Sequence, residues 1–416
     1  MARVTFAIGV LLLLTRQALA TPSALFSLGT ESQALGKTGV AGVSDYGAIV
    51  LNPAALAVTP ERTLWLGYAA ARFAPKVSNY AGPRPAQPSF AAGVFALRLP
   101  ITPNLVPPGL TLGFSLTSPR DVIVRAELPL PETPQFPLLS TRAQALDLAL
   151  SLGARVSERL YLGLGLRGLA GLEGDVEVAS DSSPGGVNDE LGLRLAPMVG
   201  VLLQLRPGDS VGIVYRAALE APFEVELRDP GLQGLTLPPL HLDGIAHYDP
   251  AEVAVEWAHE LGSARVALGV DFQRWSAFGG WLGQTVRCPA DAESCAALPK
   301  EEVELRDTVS PRLGASYPLV LPGVELTFRA GYALEPTPLP TQTERANRWD
   351  NTRSVFTLGY GVRLLNAPLG FALAYQAHVL HERRHGKRHP EDAPELASVT
   401  VSGTAHFFGI SSELEY

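Results

Sequence analysis

The stretch LYLGLGLRGL, Leu160–Leu169, sets Leu160, Leu162, Leu164 and Leu166 on one parity and Tyr161, Gly163, Gly165 and Arg167 on the other. A period of two is that of an extended strand, whose successive side chains point to opposite faces. One face is aliphatic and the other small or polar. TRAQALDLALSLGAR, just before it, repeats the arrangement with Leu146, Leu148, Leu150 and Leu152 against Asp147, Ala149, Ser151 and Gly153. ARVALGVDFQ, VELTFRAGY and SVFTLGYGVR carry the same alternation further along the chain.

Such runs predict about fourteen strands, roughly 62–75, 88–101, 109–119, 141–156, 158–173, 189–206, 209–227, 249–260, 262–276, 302–318, 322–336, 353–365, 367–382 and 396–410. Their lengths suit tilted strands crossing a bilayer. The connections alternate between short, as in Arg206-Pro207-Gly208-Asp209, Glu260-Leu261-Gly262 and Asn366-Ala367-Pro368, and long and polar, as in Asp229–Tyr248, Ala277–Glu301 and Glu335–Thr352. That alternation separates an outer-membrane barrel, with brief periplasmic turns and longer outer loops, from a secreted sandwich. The expected fold is therefore all-β, a transmembrane antiparallel barrel, and an even strand count leaves both ends in the periplasm. Tyr416 gives it an aromatic ending, although the parity of Gly409–Tyr416 slips against Val399, Val401 and Ala405, which calls for a bulge or a tail.

The bulk properties agree. Charged residues are only 18% and Gly and Pro number 40 and 35, while a mean hydropathy of +0.14 is spread evenly rather than gathered into helical spans. A net charge of -8 gives no footprint for nucleic acid. Residues 1–20 read as a signal peptide: a basic start (Met1-Ala2-Arg3), an apolar run from Val4 to Leu14, and the A-x-A type end Ala18-Leu19-Ala20. The chain thus divides into the signal peptide (1–20), an N-terminal segment (21–61) and the barrel (62–416). In an exported chain, Cys288 and Cys295 are most simply a loop disulfide.

A charge facing lipid at mid-membrane costs about 2–4 kcal/mol, so Asp147, Arg155, Arg167, Arg194, Glu256, Asp271, Arg306, Arg312 and Arg329 are expected to face inward. Many of their inward neighbours are glycine or alanine, which leaves room to be filled. Two motifs are set aside. Gly163–Gly168 matches G-x-G-x-x-G, but a dinucleotide site needs that turn between a strand and a helix, and here it lies inside an unbroken strand pattern. His381-Glu382-Arg383-Arg384-His385 matches H-E-x-x-H, but the zinc reading needs a helix, whereas GFALAYQAHVL alternates before it and GKRHPEDAP reads as loop after it. A solvated outer loop is the simpler reading, its Arg383, Arg384, Lys387 and Arg388 available to lipopolysaccharide phosphates. No metal, cofactor or catalytic grouping is expected.

AIVLNPAALAV, Ala48–Val58, breaks an apolar run with Asn52-Pro53. Ser44 is placed to cap a short helix near Asp45; Pro53 ends it, and Asn52 caps a second turn with Pro53 at its first position. The segment has apolar faces (Leu25, Phe26, Leu28, Ile49, Leu51, Leu56), and the roomy lumen is the place for it. Here the sequence resembles the FadL-type outer-membrane transporters of long-chain fatty acids and other hydrophobic compounds. The resemblance rests on ALGKTGVAGVSDYGAIVLNPAALA (Ala34–Ala57), AEVAVEWAHELGSARVALGVDFQRWSAF (Ala251–Phe278) and RAGYALEPTPLP (Arg329–Pro340), in the family's order.

The resemblance implies a fourteen-stranded barrel plugged by an N-terminal hatch, with Asn52, Pro53 and Ala54 as the hatch motif. It also implies capture of a hydrophobic ligand among the outer loops and sideways exit at a kinked third strand, which in GLTLGFSLTSPR places the interruption at Ser118-Pro119. Arg155, Arg167 and Arg329 are the lumenal candidates for a ligand carboxylate, by charge and side alone. The expected function is passive, hatch-gated uptake of fatty acids or hydrocarbons by a monomer in the outer membrane, amid lipid and lipopolysaccharide. The rivals are a water-filled diffusion pore and a barrel subunit or shuttle of a protein secretion system.

Overall fold

The computed structural model describes residues 22–59, 61–80, 89–101, 109–120, 134–140, 146–177, 186–228, 240–280, 282–286, 304–391 and 394–416. Residues 1–20, the expected signal peptide, and the expected disulfide of Cys288 and Cys295 lie outside the described residues. Among the described residues, seventeen strands belong to one sheet: β1 Thr63–Ser78, β2 Ser89–Ile101, β3 Leu110–Pro119, β4 Asp147–Arg155, β5 Leu160–Glu177, β6 Gly186–Arg206, β7 Asp209–Arg216, β8 Leu219–Arg228, β9 Leu240–Asp249, β10 Ala251–Leu261, β11 Ala264–Arg274, β12 Leu282–Val286, β13 Thr308–Leu321, β14 Val324–Glu335, β15 Arg353–Leu364, β16 Leu369–Gly386 and β17 Ser398–Glu415.

Fourteen of them close a barrel. β1 to β7 pair in sequence, β7 pairs β10, β10 pairs β11, β11 pairs β13, and β13 to β17 return to β1, each neighbour antiparallel. Closure leaves no edge strand, the condition for spanning lipid with strands. The other three form an outgrowth on the loop side. β8 pairs the outer end of β5 in parallel, β9 pairs β8, and β12 pairs β9.

The expected run 209–227 is thus two strands that part at Ala217-Ala218, because β7 stays with β10 only as far as Arg216, opposite Glu252. Periodicity hides the change of partner, since both halves alternate. β9 and β12 in turn occupy parts of connections read as long loops.

The quoted leucines face outward, Leu164 being 61% exposed, while Tyr161 and Arg167 are buried inside. In β17 the parity never slips. Phe408, Ile410 and Leu414 point out, and Val399, Val401, Ala405 and Phe407 point in, within an internal apolar cluster. The apparent slip came from treating Val399, Val401 and Ala405 as lipid-facing. A bulge does occur, in β16, where the register against β17 shifts between Leu380 and Arg383. It moves the inward parity from even residues, such as Gln376, His378 and Leu380, to odd His385. Arg306 is not lumenal: β13 starts at Thr308, and Arg306 is exposed in the preceding coil, its N–H bonded to the Pro338 carbonyl.

The lumen is filled by residues 22–59. They form α1 (Pro22–Phe26), α2 (Thr30–Ala34), α3 (Ala48–Leu51) and a 3-10 turn (Pro53–Ala57). The glycines of the inner wall receive this segment. A Cβ on Gly163 would meet Ala54 N and the Pro53 carbonyl carbon; on Gly153 it would meet the Pro53 carbonyl oxygen, on Gly331 Gly36 N, and on Gly212 the Val40 carbonyl. The barrel thus needs glycine where another backbone approaches closely. Within the Gly163–Gly168 motif Gly163 plays this part, whereas a Cβ on Gly165 or Gly168 would meet side chains of the neighbouring strands.

Gly163→Val is therefore expected to displace residues 52–57 at a cost of about 1–3 kcal/mol while the barrel still closes. Limited proteolysis of the folded protein should cut the N-terminal segment faster. Gly93→Val, where a Cβ meets nothing within 4 Å, should behave like wild type. Equal cleavage of the two variants would refute this role for the wall glycines.

Candidate functional site

Asn52 is fully buried. Its Oδ1 accepts from Ala54 N at 3.1 Å, capping the 3-10 turn that Pro53 opens, and its Nδ2 donates to the Val40 carbonyl (2.7 Å) and the Val201 carbonyl on β6 (3.0 Å). One amide therefore ties two parts of the segment to each other and to the wall. Ser44 caps no helix. Its N–H and hydroxyl both donate to Glu31, each at 2.8 Å, and the turn before α3 is held by Asp45 Oδ1, which accepts from Gly47 N at 2.8 Å.

Opposite Asn52, Glu256 on β10 accepts from three successive amides of the segment, Gly39 (2.7 Å), Val40 (3.1 Å) and Ala41 (3.1 Å). Elsewhere the segment's carbonyls are met by wall donors. Arg216 reaches Val50 (3.2 Å) and Leu51 (2.9 Å), the end of α3, and Arg312 reaches Lys37 (2.9 Å). Arg98 reaches Ser44 (3.0 Å), Arg265 reaches Ala41 (3.0 Å), and Ser151 reaches Ile49 (2.6 Å). A segment with so little regular structure must satisfy its backbone groups this way. Charge and parity placed Glu256 and Arg312 inside. Their hydrogen bonds to backbone, which no local motif announces, could not be read.

The three carboxylate candidates are not brought together. Arg167 donates to Asp249 at 2.6 Å, and both are buried. Arg155 is exposed at the inner end of β4. Arg329 lines a cleft on the periplasmic side. Beside Arg167 the lumen is rich in paired charge: Arg216 with Glu252 (2.6 Å), Arg312 with Asp271, Lys37 with Glu335, and Arg353 with Glu335 (2.6 Å). The space among them is about 30 Å³, roughly the volume of one water.

The apolar volume lies on the loop side of this layer. Phe26, at the end of α1, is buried with its ring 4.5 Å from Phe407 and stacked on it, 6.2 Å from Phe90 and 6.1 Å from Phe73, with His378 edge-on at 5.5 Å. Leu25, Trp349, Val399 and Val401 complete this packed aromatic and aliphatic cluster, the aromatic chamber. A second apolar cluster, with Tyr248, Trp275, Phe278, Leu305 and Leu339, lies on the opposite side. Between them runs α4 (Pro137–Ser140), which gives Leu138 to the second and Leu139 to the first. Gln135 N donates to the Asn347 carbonyl (3.0 Å) and Trp349 N to the Gln135 carbonyl (2.8 Å), joining α4 to the 336–352 connection.

The HERRH stretch belongs to strand β16 and its bulge, not to a solvated loop or a helix. His385 is buried, its Nδ1 accepting from Gln342 N at 3.0 Å. Arg383 donates to the carbonyls of Leu339 (2.8 Å) and Asp350 (3.0 Å), and Lys387 to those of Glu344 and Ala346 (both 2.6 Å). Arg388, though exposed, also reaches this 336–352 connection, its N–H donating to the Thr343 carbonyl (2.9 Å) and its guanidinium pairing with Glu344 (2.9 Å). Three of the four basic residues thus meet it, and Arg384 alone of the four points elsewhere, to Ser398. Among the described residues, no cluster of three or more His, Cys, Asp or Glu is placed to hold a metal. Ser118 and Pro119 end β3. Pairing with β2 continues to Pro119, opposite Ala92, and among the described residues pairing with β4 reaches Thr117, opposite Asp147; neither described ladder slips.

On the periplasmic side two polar clefts flank the segment. One, of about 470 Å³, lies between residues 41–44 and the β6–β7 turn. The other, of about 370 Å³, is lined by Glu31, Asp45 and Arg329. Asp45 accepts from Glu31 N and Gly47 N, both at 2.8 Å. Burial, with the Glu31 charge beside it, nonetheless raises its carboxyl to about 7. Burial also opposes ionisation of Glu31, but Arg329 and the Ser44 donors outweigh it and hold that group below its ordinary range.

The family model described as outer membrane protein transport protein (OMPP1/FadL/TodX) matches residues 11–416. A search of the curated proteins finds no match. Solved structures of the same fold include a Pseudomonas aeruginosa FadL homologue, with a TM-score of 0.62, 16% identity and coverage of 96% of this chain and 99% of that one. The P. putida toluene transporter TodX aligns at a TM-score of 0.57 and 14% identity, over 94% and 99%. The Ralstonia pickettii toluene transporter TbuX aligns at 0.54 and 15%, over 94% and 99%. With the family match spanning nearly the whole chain and the barrel closing on fourteen strands around an N-terminal plug, the protein belongs to the OmpP1/FadL/TodX family of outer-membrane transport proteins.

Proposed function

We propose that this barrel conducts hydrophobic small molecules, fatty acids or hydrocarbons, passively across the outer membrane, and that residues 22–59 gate the route. The observation that carries this reading is Phe26. It ends a five-residue helix at the start of the segment, and its ring packs inside an aromatic cluster, surroundings that suit an apolar ligand in its place. A ligand entering there exchanges one apolar occupant for another, so the exchange is nearly balanced and reversible. No catalytic step or energy source is needed.

Uptake then runs from the outer apolar cluster at Trp275 and Tyr248, past α4, to the chamber. The cluster reaches the wall at Ala92, the partner of Pro119, so the outer end of β3, where Pro119 has no N–H to give to a ladder, is the place for sideways release. The lumenal guanidiniums of Arg167, Arg216 and Arg312 are each matched by a carboxylate, which favours uncharged ligands over fatty acid anions. Relatives named as toluene transporters are consistent with that preference.

Burial of a phenylalanine is worth about 1.5–3 kcal/mol, so Phe26→Ala should tighten ligand binding by roughly ten- to a hundredfold. Titration calorimetry of the detergent-purified protein with toluene and with oleate checks this. Unchanged or weaker binding of both would sink the gating reading. A steady bilayer conductance without binding would instead favour an aqueous pore.

Asp45 gives the gate a pH dependence. Its docked value of about 7 lies above the free value of 3.8, so docking is strongest at low pH and weakens as pH rises through 7. Glu31, shifted the other way, is ionised throughout that window. Hydrogen exchange of residues 29–47, corrected for intrinsic rate, should be faster at pH 8 than at pH 5, and Asp45→Asn should abolish the difference. A slope that survives in Asp45→Asn excludes this group as its source.

A further inference from the structure

The outer halves of β16, β17 and β1 invert the pattern of the rest of the wall. Along β1 the outward face runs Leu64, Leu66, Tyr68 and Ala70, and then Arg72, Ala74 and Lys76, with Arg72 and Lys76 exposed. Beside it, the outward face of β17 changes from Ile410 and Phe408 to His406, Thr404, Ser402 and Thr400. The register pairs Ala70 with Phe408, Arg72 with His406 and Lys76 with Ser402. Past the bulge, exposed Arg384 of β16 stands opposite Thr400 and donates to Ser398 Oγ at 2.9 Å.

The inner side of the same stretch is apolar, from Phe73 through Val399 to Phe407. Three cations, two on β1 and one on β16, therefore face outward on either side of the hydroxyls of β17. None of them has an ion-pair partner among the described residues. The nearby exposed carboxylate is Glu382, in the bulge of β16.

Height decides what surrounds them. From Leu64 to Arg72 is eight residues, which at about 3.4 Å each and a tilt of about 40° places Arg72 roughly 21 Å from the periplasmic edge of the apolar band, with Lys76 roughly 10 Å further out. The band is about 25 Å tall. Arg72 is thus at the outer limit of the hydrocarbon and Lys76 among the headgroups of the outer leaflet, where long basic side chains can extend toward anions.

We propose that this face binds a phosphorylated glycolipid of the outer leaflet, lipopolysaccharide in chemical class. Arg72, Lys76 and Arg384 hold its phosphates, and Thr400, Ser402 and Thr404 contact its sugars. Charge complementarity fixes the phosphates; the run of hydroxyls at successive outward positions favours a sugar headgroup over a plain phospholipid.

The test is native mass spectrometry of the full-length mature barrel in detergent, titrated with purified lipid A, with enzymatically dephosphorylated lipid A and with phosphatidylglycerol. Wild type should bind lipid A at least tenfold more tightly than either of the others. Arg72→Ala/Lys76→Ala/Arg384→Ala should lose that advantage while keeping the heat-dependent gel shift of a folded barrel and the binding of toluene. Arg72→Lys/Arg384→Lys, which keeps the charges, should retain most of it, and Arg363→Ala at the periplasmic end should change nothing. Equal binding of the three lipids by wild type, or an undiminished preference in the triple alanine variant, would overturn the proposal.

Discussion

The carboxylate of Glu256, gripped by the amides of Gly39, Val40 and Ala41, states the constraint on which the rest of the lumen depends. A barrel of fourteen strands is too wide for its own side chains to fill, and what fills it here is a segment with only four short helical pieces. Such a segment exposes backbone donors and acceptors at every turn, and inside a barrel wall they must be met by protein. The inner wall therefore carries two kinds of residue. Glycines let the backbone come close, and charged or amide side chains such as Glu256, Arg216, Arg312 and Gln376 end on its N–H and C=O groups. Charge-assisted hydrogen bonds of this kind are worth about 1.5–3 kcal/mol each, so each is individually significant to where the segment sits.

How far the sequence reveals this depends on whether the deciding force is local. Strand existence and parity are local, and the leucines of Leu160–Leu169 or the alternation of Val324–Tyr332 place their strands and faces correctly. Asn52-Pro53 is also local: the cap and the proline act within three residues, and the 3-10 turn forms where they predict it. The misreadings share a different origin. Val399, Val401 and Ala405 look lipid-facing because the interior was assumed polar, whereas the aromatic chamber gives this part of the wall an apolar inside. The split at Ala217-Ala218 is a change of partner, which side-chain alternation does not encode. Ser44 loses its helix to Asp45 because Glu31, thirteen residues away, takes both its donors.

The candidate site was legible in class and not in detail. Charge and parity put Arg167 and Glu256 inside correctly, but the roles of the lumenal arginines follow from partners on other strands: Asp249 takes Arg167, while the cleft around Arg329 belongs to the periplasmic side. The basic HERRH stretch is informative in the same way. Its composition suggests solvent, yet His385, Arg383 and Lys387 spend their polar groups on the 336–352 connection.

The distribution of these ties also constrains how the route can open. Residues 36–54 are held from many sides, by Glu256, Arg216, Arg312, Arg265 and Ser151, and by Asn52 on the Val201 carbonyl. Releasing them together would break several charge-assisted bonds at once and leave Glu256 buried without its donors. The start of the segment is held more lightly. Gln376 donates to the Phe26 carbonyl at 3.0 Å, Lys37 to the Ala24 carbonyl at 3.3 Å and Gln33 to the Ser27 carbonyl at 3.1 Å, the last two from within the segment itself, and Leu25 and Phe26 add apolar contact. Lys37 keeps its partner Glu335 whether or not Ala24 stays, and Gln376 keeps the Gln33 carbonyl at 2.9 Å. Withdrawal of α1 alone therefore leaves no buried charge unpaired, whereas expulsion of the whole plug leaves several. On the proposed gating, a local swing of residues 22–28 with the Asn52 and Glu256 anchors intact is the opening that breaks fewer of these bonds, and it vacates the aromatic cluster while leaving the layer of paired charge in place.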